Sequence, residues 1–317
     1  MEMGSVGDER VGLVLQSTGS WYEVLTSTGD RISCRARGRL RLKGDRSTNP
    51  IAVGDRVRWE LSDVDRNEGL VTGILERRNA IIRRSVNLSR ESHVVAANLD
   101  RAFLVVTLAE PATSTGFVDR FLVTAEAYGV PVTLVFNKVD ATDAGALKDW
   151  DEVYQSAGYD TLRTSAKTGE GLPLLQRALA ASGVNLLSGH SGVGKSSLIN
   201  ALIPGLVLKT DEVSDVHGKG KHTTTFATMH PLPEGGFVVD TPGIKGFGLV
   251  HLERDSLHHY FPEFFARLPE CKFHNCLHRT EPGCAVHAAL QRGEVAASRL
   301  ENYLEMYETF DESSGYR

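Results

Sequence analysis

The sequence lacks any hydrophobic run that approaches the roughly 20 residues of a membrane-spanning helix. Its first ten residues also lack the basic start and apolar centre of a secretory signal. Hydrophobic residues form 41% of the 317 residues and charged residues 24%, which excludes the fibrous and disordered classes. We therefore expect a cytoplasmic globular protein without membrane contacts, long enough for about two or three domains.

Cysteine is also scarce, and three of the four cysteines lie in one short stretch. In a cytoplasmic chain such clustering favours a metal site over disulfides. Three thiolates and one imidazole make a closed tetrahedral set for structural Zn²⁺, with no open position for catalysis. The predicted ligands are Cys271, Cys276, His278 and Cys284. His274 or His287 could replace His278 as the nitrogen ligand, and the isolated Cys34 is expected to be a small buried residue.

The net charge of −5 hides an excess of basic residues at the front of the chain, where residues 1–90 hold 16 Lys or Arg against 12 Asp or Glu. Short alternating apolar runs separated by turn residues predict about five strands of an OB-like barrel up to about residue 75. Arginine then recurs at every second position, which places the side chains on one face of a strand. These arginines are Arg35, Arg37, Arg39 and Arg41. Such a face suits a polyanion, and we favour nucleic acid over the alternative of a solvated barrel surface.

From about residue 100, apolar strands alternate with helices in the pattern of a parallel sheet. One predicted strand, over residues 130–136, ends at a motif placed at the sheet edge where ligands bind. The motif consists of Asn137, Lys138, Val139 and Asp140. The carboxylate of Asp140 can accept hydrogen bonds from the ring N–H and the exocyclic amine of guanine, a pair of donors that adenine lacks. Asn137 would tie loops together, and the stem of Lys138 would cover the ring face.

A second base-reading loop and a phosphate-binding motif follow. The loop of Ser165, Ala166 and Lys167 matches the one that offers a backbone N–H to guanine O6 in GTPases. Residues 189–196 fit the phosphate-loop pattern G-x-x-x-x-G-K-[ST] between a short strand and a helix, which is the context that the motif requires. Lys195 would reach the β and γ phosphates, and Ser196 would ligate Mg²⁺. The predicted phosphate-binding residues are Gly189, His190, Ser191, Gly192, Val193, Gly194, Lys195, Ser196 and Ser197.

Two downstream segments are predicted to sense the γ-phosphate. Residues 219–225 end in three threonines, of which Thr224 is the predicted Mg²⁺ ligand when a γ-phosphate is present. Asp240 would hold Mg²⁺, directly or through water, and the Gly243 N–H would contact the γ-phosphate.

The residue that follows this second segment departs from the common pattern. Ile244 stands where Ras-like GTPases carry the glutamine that positions the attacking water. Isoleucine cannot do this, so hydrolysis needs another group. His222, beside the switch threonines, is our candidate, and the alternative is an exposed loop residue without a catalytic role.

The GTPase motifs occur in an unusual order, with the base-reading loops ahead of the phosphate loop. Ras-like proteins begin with the phosphate loop, so this order indicates a circular permutation. With the OB-like front and the zinc spacing at the back, the chain resembles the RsgA (YjeQ) family of bacterial ribosome-assembly GTPases over nearly its whole length. The predicted fold class is a multidomain α/β protein. It comprises an OB-like RNA-binding β-barrel (1–80), a basic linker (81–99), a circularly permuted P-loop GTPase domain with a mostly parallel sheet and flanking helices (100–249), and a helical zinc-binding domain (250–317).

The resemblance implies a GTPase that is stimulated by the small ribosomal subunit and acts late in its maturation as a checkpoint involving ribosomal RNA. It implies GTP or GDP, Mg²⁺ and one structural Zn²⁺ as cofactors, and a hydrophobic residue in place of the catalytic glutamine agrees with the family. Other assembly factors are further candidate partners, and we expect a monomer because nothing in the sequence indicates an obligate dimer. Two alternatives stay open: a GTPase acting on another RNA such as tRNA, and a GTP-dependent RNA-binding scaffold in which hydrolysis is incidental.

Overall fold

The computed structural model describes residues 10–38, 40, 50–62, 67–84, 92–208, 227–240 and 252–310. Over these ranges the chain forms a barrel, a mixed sheet flanked by helices, and a helical C-terminal region. None of the helices in these ranges combines the length and hydrophobicity needed to cross a bilayer.

The N-terminal strands close into a five-stranded barrel. The strands are β1 (Arg10–Ser17), β2 (Tyr22–Thr26), β3 (Arg31–Ala36), β4 (Arg56–Leu61) and β5 (Glu68–Ile74). Their order is β1-β2-β3-β5-β4, and β4 returns to β1; every pair is antiparallel except β3 with β5. Alternate side chains fill the interior, including Val14, Val24, Cys34, Trp59 and Val71. The predicted barrel and the predicted burial of Cys34 are both confirmed.

A hairpin follows the barrel within the part of the chain predicted to be a basic linker. Its strands are β6 (Ala80–Arg84) and β7 (Ser92–Ala97). Arg77, just ahead of β6, donates to both carboxylate oxygens of Asp55 at 2.7 and 2.8 Å, and Asp55 is fully buried. Because breaking a buried bidentate pair leaves an uncompensated charge, this contact holds the start of the hairpin against the barrel.

The central sheet places the ends of its parallel strands at one edge. In chain order its elements are β8 (Arg101–Val106), α1 (Thr115–Ala127), β9 (Val132–Phe136), α2 (Ala144–Ser156), β10 (Asp160–Arg163), α3 (Leu172–Ala180), β11 (Val184–Ser188), α4 (Lys195–Leu202), β12 (Thr228–Pro231) and β13 (Phe237–Asp240). The strand order is β10-β9-β8-β11-β13-β12, and only β12 runs antiparallel to its neighbour β13. The sheet continues into the barrel through the pair Gln16 and Thr228. The carboxyl ends of β8, β9, β10, β11 and β13 therefore meet at one edge.

The C-terminal region is built from short helical pieces. These are a 3-10 helix (Arg254–Tyr260), α5 (Pro262–Phe265), a second 3-10 helix (Leu268–Glu270), α6 (Ala285–Gln291) and α7 (Ala297–Glu308). Along α7, Leu300, Tyr303 and Tyr307 are buried in the same apolar cluster as Phe261 and Phe264. These residues recur at the three- and four-residue spacing of a helix face, and that face packs into the core.

A fully buried ion network joins this region to the central domain. Arg299 of α7 donates to Asp119 of α1 at 2.7 Å and to both oxygens of Glu263 of α5 at 2.7 and 3.0 Å. Asn302 donates to the second oxygen of Asp119 at 2.7 Å. Arg299 is 1% exposed and Asp119 is 0% exposed, so each charge is stabilised by its partners in the network and not by water.

Candidate functional site

Asn137 is the structural centre of the site, because its buried side chain joins three loops. Its Nδ2 donates to the carbonyl of Val193 in the phosphate loop at 2.8 Å, and its Oδ1 accepts from Thr164 Oγ1 at 3.1 Å. A Cβ on Gly194 would collide with this amide, and the φ of Gly194 is 93°, so the close approach requires glycine. Thr164 was not among the predicted residues; its place just before Ser165 is the only signal for it in the sequence.

The carboxylate of Asp140 is held in a defined orientation. Ser165 Oγ donates to Asp140 Oδ1 at 2.6 Å, and Lys167 Nζ lies 4.0 Å from Asp140 Oδ2. The two base-reading loops, which are separate in the sequence, are thus joined through the group predicted to read guanine. Lys138 adopts a left-handed conformation with a φ of 61°, and its Nζ donates to the carbonyl of Glu110 at 2.7 Å.

The phosphate loop leads from β11 into α4 as its sequence predicts. Gly189, Gly192 and Gly194 have φ values of 148°, 84° and 93°, which side chains rarely permit, so the glycines set the path of the backbone. Lys195 begins α4, and its Nζ donates to the carbonyls of Gly189 and His190 at 2.7 and 2.6 Å. The amine is therefore folded over the loop that is predicted to cradle phosphates.

Lys195 and Asp240 are buried charged residues of the site. Burial lowers the pKa of Lys195 to about 8, opposed by the charge of Asp240. Burial raises the pKa of Asp240 to about 6, opposed by the charge of Lys195. Burial removes water from both groups, and the attraction between their charges offsets this only in part. A phosphate beside the amine would favour the charged form of Lys195, and a divalent cation beside the carboxylate would favour the charged form of Asp240. The carboxylate of Asp240 and the hydroxyl of Ser196 are hard oxygen donors of the kind that Mg²⁺ takes.

Four predicted residues of the switch segments lie outside the described residues: His222, Thr224, Gly243 and Ile244. The same holds for Arg39 and Arg41 of the basic run. Their roles stay predictions. The remaining predicted nucleotide-binding residues meet at the carboxyl edge of the sheet, around Asn137 and Lys195.

The predicted zinc ligands come together in the C-terminal region. The ligand atoms of Cys271, Cys276, His278 and Cys284 all lie within 4.8 Å of one another, close to the roughly 3.8 Å edge of a tetrahedral zinc site. His278 Nδ1 faces Cys284 Sγ at 3.3 Å and Cys271 Sγ at 3.7 Å. Soft thiolates with one imidazole are the donor set that Zn²⁺ takes in structural sites, so the residues fit the ion.

The competing histidines do not enter this cluster. His274 is exposed, and the Nε2 of His287 faces the carbonyls of His278 and Arg279 at 3.2 and 2.9 Å. His278 has a φ of 56°, and its ring nitrogen lies within the cluster. Burial raises the pKa of Cys276 to about 12, so this thiol stays protonated unless a cation stabilises the thiolate.

Comparison with known proteins gives a consistent result along the chain. A family model described as RsgA GTPase matches residues 74–250, and another described as RsgA N-terminal domain matches residues 11–71. The protein named small ribosomal subunit biogenesis GTPase RsgA from Bacteroides fragilis (strain YCH46) is 52% identical over 304 residues, covering 95% of this chain and 97% of its own. The protein of that name from Christiangramia forsetii is 48% identical, with 96% and 98% covered.

Two solved structures are similar over the whole fold. The crystal structure of YjeQ from Thermotoga maritima has a TM-score of 0.74 and 37% identity, covering 95% of this chain and 98% of its own. The structure of YloQ, described as a circularly permuted GTPase, has a TM-score of 0.73 and 26% identity, with both chains covered completely. The unusual order of the motifs thus has a structural counterpart.

Proposed function

The chain belongs to the RsgA GTPase family, and from this membership we propose that it hydrolyses GTP to GDP and phosphate during late maturation of the small ribosomal subunit, as a checkpoint that the subunit itself triggers. The observation that carries the proposal is the bond from Asn137 to Val193, which joins a guanine-specific motif to a phosphate loop that follows it in the chain. A phosphate loop alone would indicate only that a nucleotide binds, whereas a phosphate loop joined to a guanine-specific motif indicates that the nucleotide is GTP.

In the proposed complex, different residues contact the guanine base, the phosphates and Mg²⁺. Asp140, held by Ser165, accepts the two guanine donors, and the backbone at Ala166 lies in the loop that meets the base. Lys195 exchanges its bonds to loop carbonyls for bonds to the β and γ phosphates, whose negative charge favours the protonated amine and opposes the effect of burial on its pKa. Ser196, Thr224 and Asp240 would hold Mg²⁺, which would neutralise charge that develops on the phosphates.

Hydrolysis requires a group that orients water, and we propose His222 for this role because Ile244 cannot perform it. Replacement of His222 by alanine is expected to slow single-turnover hydrolysis about 100-fold while GTP binding stays intact. His217→Ala, five residues earlier in the chain, is the matched control and should hydrolyse GTP at the original rate. An unchanged rate in His222→Ala, with GTP bound, would remove the residue from the mechanism.

The barrel is proposed to contact ribosomal RNA. The side chains of Arg31, Arg35 and Arg37 are 53%, 61% and 67% exposed on β3 and just beyond it, and Arg35 lies over the ring of Trp21 at 4.0 Å. Each arginine also has a glutamate within 4.0 Å, so phosphates must compete with these surface pairs. Exposed pairs of this kind contribute little to stability, which leaves the guanidinium groups available for a polyanion.

The proposal is tested by measuring GTP turnover with and without purified mature small subunits. Stimulation by about 10³-fold or more is expected, since groups supplied in trans accelerate GTPases by about 10³ to 10⁵. Large subunits and bulk tRNA serve as controls that carry RNA, and neither should stimulate. Intact GTP binding without stimulation by small subunits would contradict the proposal and favour the scaffold alternative, whereas stimulation by tRNA would favour the other GTPase alternative.

We further propose that the protein works in the cytoplasm as a monomer and meets other assembly factors on the subunit. The cytoplasmic location follows from the proposed role in ribosome assembly, and the monomeric state from a sequence in which nothing indicates an obligate dimer. Sedimentation of the nucleotide-bound protein at micromolar concentration would test the monomeric state.

A further inference from the structure

The N-terminal part of α1 lies between the phosphate loop and the C-terminal region. Residues two apart on an α-helix point in nearly opposite directions, since each residue turns the helix by about 100°. Phe117 and Asp119 are such a pair. Phe117 contacts the phosphate loop, and Asp119 contacts α7.

On the first side, an aromatic contact supports the phosphate loop. The rings of Phe117 and His190 have centroids 3.6 Å apart and planes inclined by 31°. Burial, with the charge of Lys195 as a second cause, lowers the pKa of His190, so the imidazole that packs on the phenyl ring is neutral near pH 7. The carbonyl of the same His190 accepts a hydrogen bond from Lys195, so the ring contact fixes a residue next to the predicted phosphate-binding amine.

The connection that leads into α1 adds a second support. A Cβ on Gly192 would lie 3.2 Å from Cγ of Pro111, which places the proline against the outer side of the phosphate loop. Two hydrogen bonds between Thr107 and Thr113 hold the ends of this connection together. The Thr107 N–H donates to the Thr113 hydroxyl at 3.1 Å, and the Thr113 N–H donates to the Thr107 carbonyl at 2.8 Å. The phosphate loop therefore rests on the β8 to α1 connection at two points.

On the opposite side, α1 is fixed by charge. Asp119 takes one bond from Arg299 and one from Asn302, and Arg299 is held in turn by Glu263. All four side chains are buried. Since a shift of α1 would separate buried charges, the C-terminal region determines where the first turns of α1 lie.

We infer that Phe117 and Asp119 are positioning residues, through which the zinc-binding region sets the geometry of the phosphate loop. The inference rests on the proposed GTPase function. It requires energetic coupling between Asn302, on α7, and nucleotide bound at the loop, transmitted by a rigid element that both sites contact.

The experiment is a double-mutant cycle on GDP affinity in the zinc-loaded, full-length protein. Phe117→Ala is expected to weaken GDP binding about fivefold, since it removes one aromatic contact. Asn302→Ala, which leaves Asp119 paired with Arg299, is expected to weaken GDP binding about threefold. In the double variant the effect of Asn302→Ala should vanish, so that binding is again about fivefold weaker than in the unsubstituted protein.

Two controls separate positioning from a general loss of stability. Phe117→Tyr keeps the ring and should bind GDP within about twofold of the original affinity. Ile81→Ala removes a buried side chain of β6, outside α1 and the phosphate loop, and should lower the melting temperature without changing GDP affinity. Multiplicative effects in the double variant, or no effect of Asn302→Ala, would overturn the inference. Absence of GDP binding by the unsubstituted protein would instead overturn the proposed function.

Discussion

Replacement of Asp140 by asparagine is expected to lower GTP affinity by about 10³-fold or more and to create binding of xanthosine triphosphate. A site built to hydrogen-bond a substrate group rejects an analogue without that group by about 10⁴ to 10⁵. Here the change is of the same kind, because two acceptor oxygens that face two guanine donors become one acceptor and one donor.

The geometry of the loop makes this substitution specific. Ser165 donates to Asp140 Oδ1, and the asparagine oxygen can keep that bond. The new Nδ2 then takes the place of Oδ2 and points its hydrogens at the guanine amine. Xanthine carries a carbonyl oxygen at that position and accepts the bond, so the variant should exchange one base for the other rather than lose nucleotide binding altogether.

Asp143→Asn is the matched control, since Asp143 lies three residues further on and accepts a bond from the N–H of Ala146 at the start of α2. Asparagine caps helices as well as aspartate does, so GTP affinity and melting temperature should stay unchanged. Affinities for GTP and XTP are measured by titration of fluorescent analogues. If Asp140→Asn binds GTP like the unsubstituted protein, another residue reads the base.

The parts of the site that could be predicted from the sequence are those with local signatures. Glycines that must take positive φ values, with a lysine and serine at fixed offsets, have one structural meaning between a strand and a helix, and Gly189 to Ser196 adopt it. The predicted zinc ligands are similar, because Cys271 to Cys284 lie close together in the chain and come together without contacts between distant elements. Alternating apolar residues gave the barrel strands because their inward faces fill one core.

The contacts between distant elements could not be predicted in this way. Arg299 and Asp119 are 180 residues apart in the chain, and arginine and aspartate are almost never fully buried unless they are paired. In the sequence, Phe117 is an ordinary apolar residue of α1, and nothing in its spacing indicates a contact with His190. Residues 254–270 form 3-10 turns and α5 in place of one long helix, because Pro262 and Pro269 interrupt the helical pattern.

Replacement of His278 by asparagine is expected to abolish stoichiometric zinc and to unfold the region from residue 252 to residue 310 as a cooperative unit. Structural zinc contributes an apparent binding free energy of about 10 to 16 kcal/mol at neutral pH, which is as large as the whole stability of a typical domain. Asparagine is chosen because it tolerates the left-handed conformation that His278 adopts, so the variant reports the lost ligand and not backbone strain.

His274→Asn provides the control, since His274 is exposed and outside the cluster. Metal content is measured after gel filtration, and unfolding is followed by near-UV circular dichroism, to which the stacked Phe261 and Phe264 contribute. Removal of zinc by a chelator should reproduce the His278→Asn result in the unsubstituted protein. One zinc per chain in His278→Asn would contradict the assignment, and loss of zinc in His274→Asn would transfer the ligand role to that residue.

The loss of zinc should also reach the GTPase domain, because one helix serves both sites. Tyr303 of α7 donates its hydroxyl to the carbonyl of Leu277, beside the zinc ligands, and Arg299 of the same helix pairs with Asp119 of α1. When the zinc region unfolds, α1 loses the ion pair at Asp119, and Val123, which is buried in the C-terminal apolar cluster, becomes exposed to water. The unfolding midpoint of the GTPase domain, measured with GDP bound, should therefore fall together with the zinc signal. A GTPase transition that keeps its midpoint in the metal-free protein would mean that the buried network does not couple the two domains.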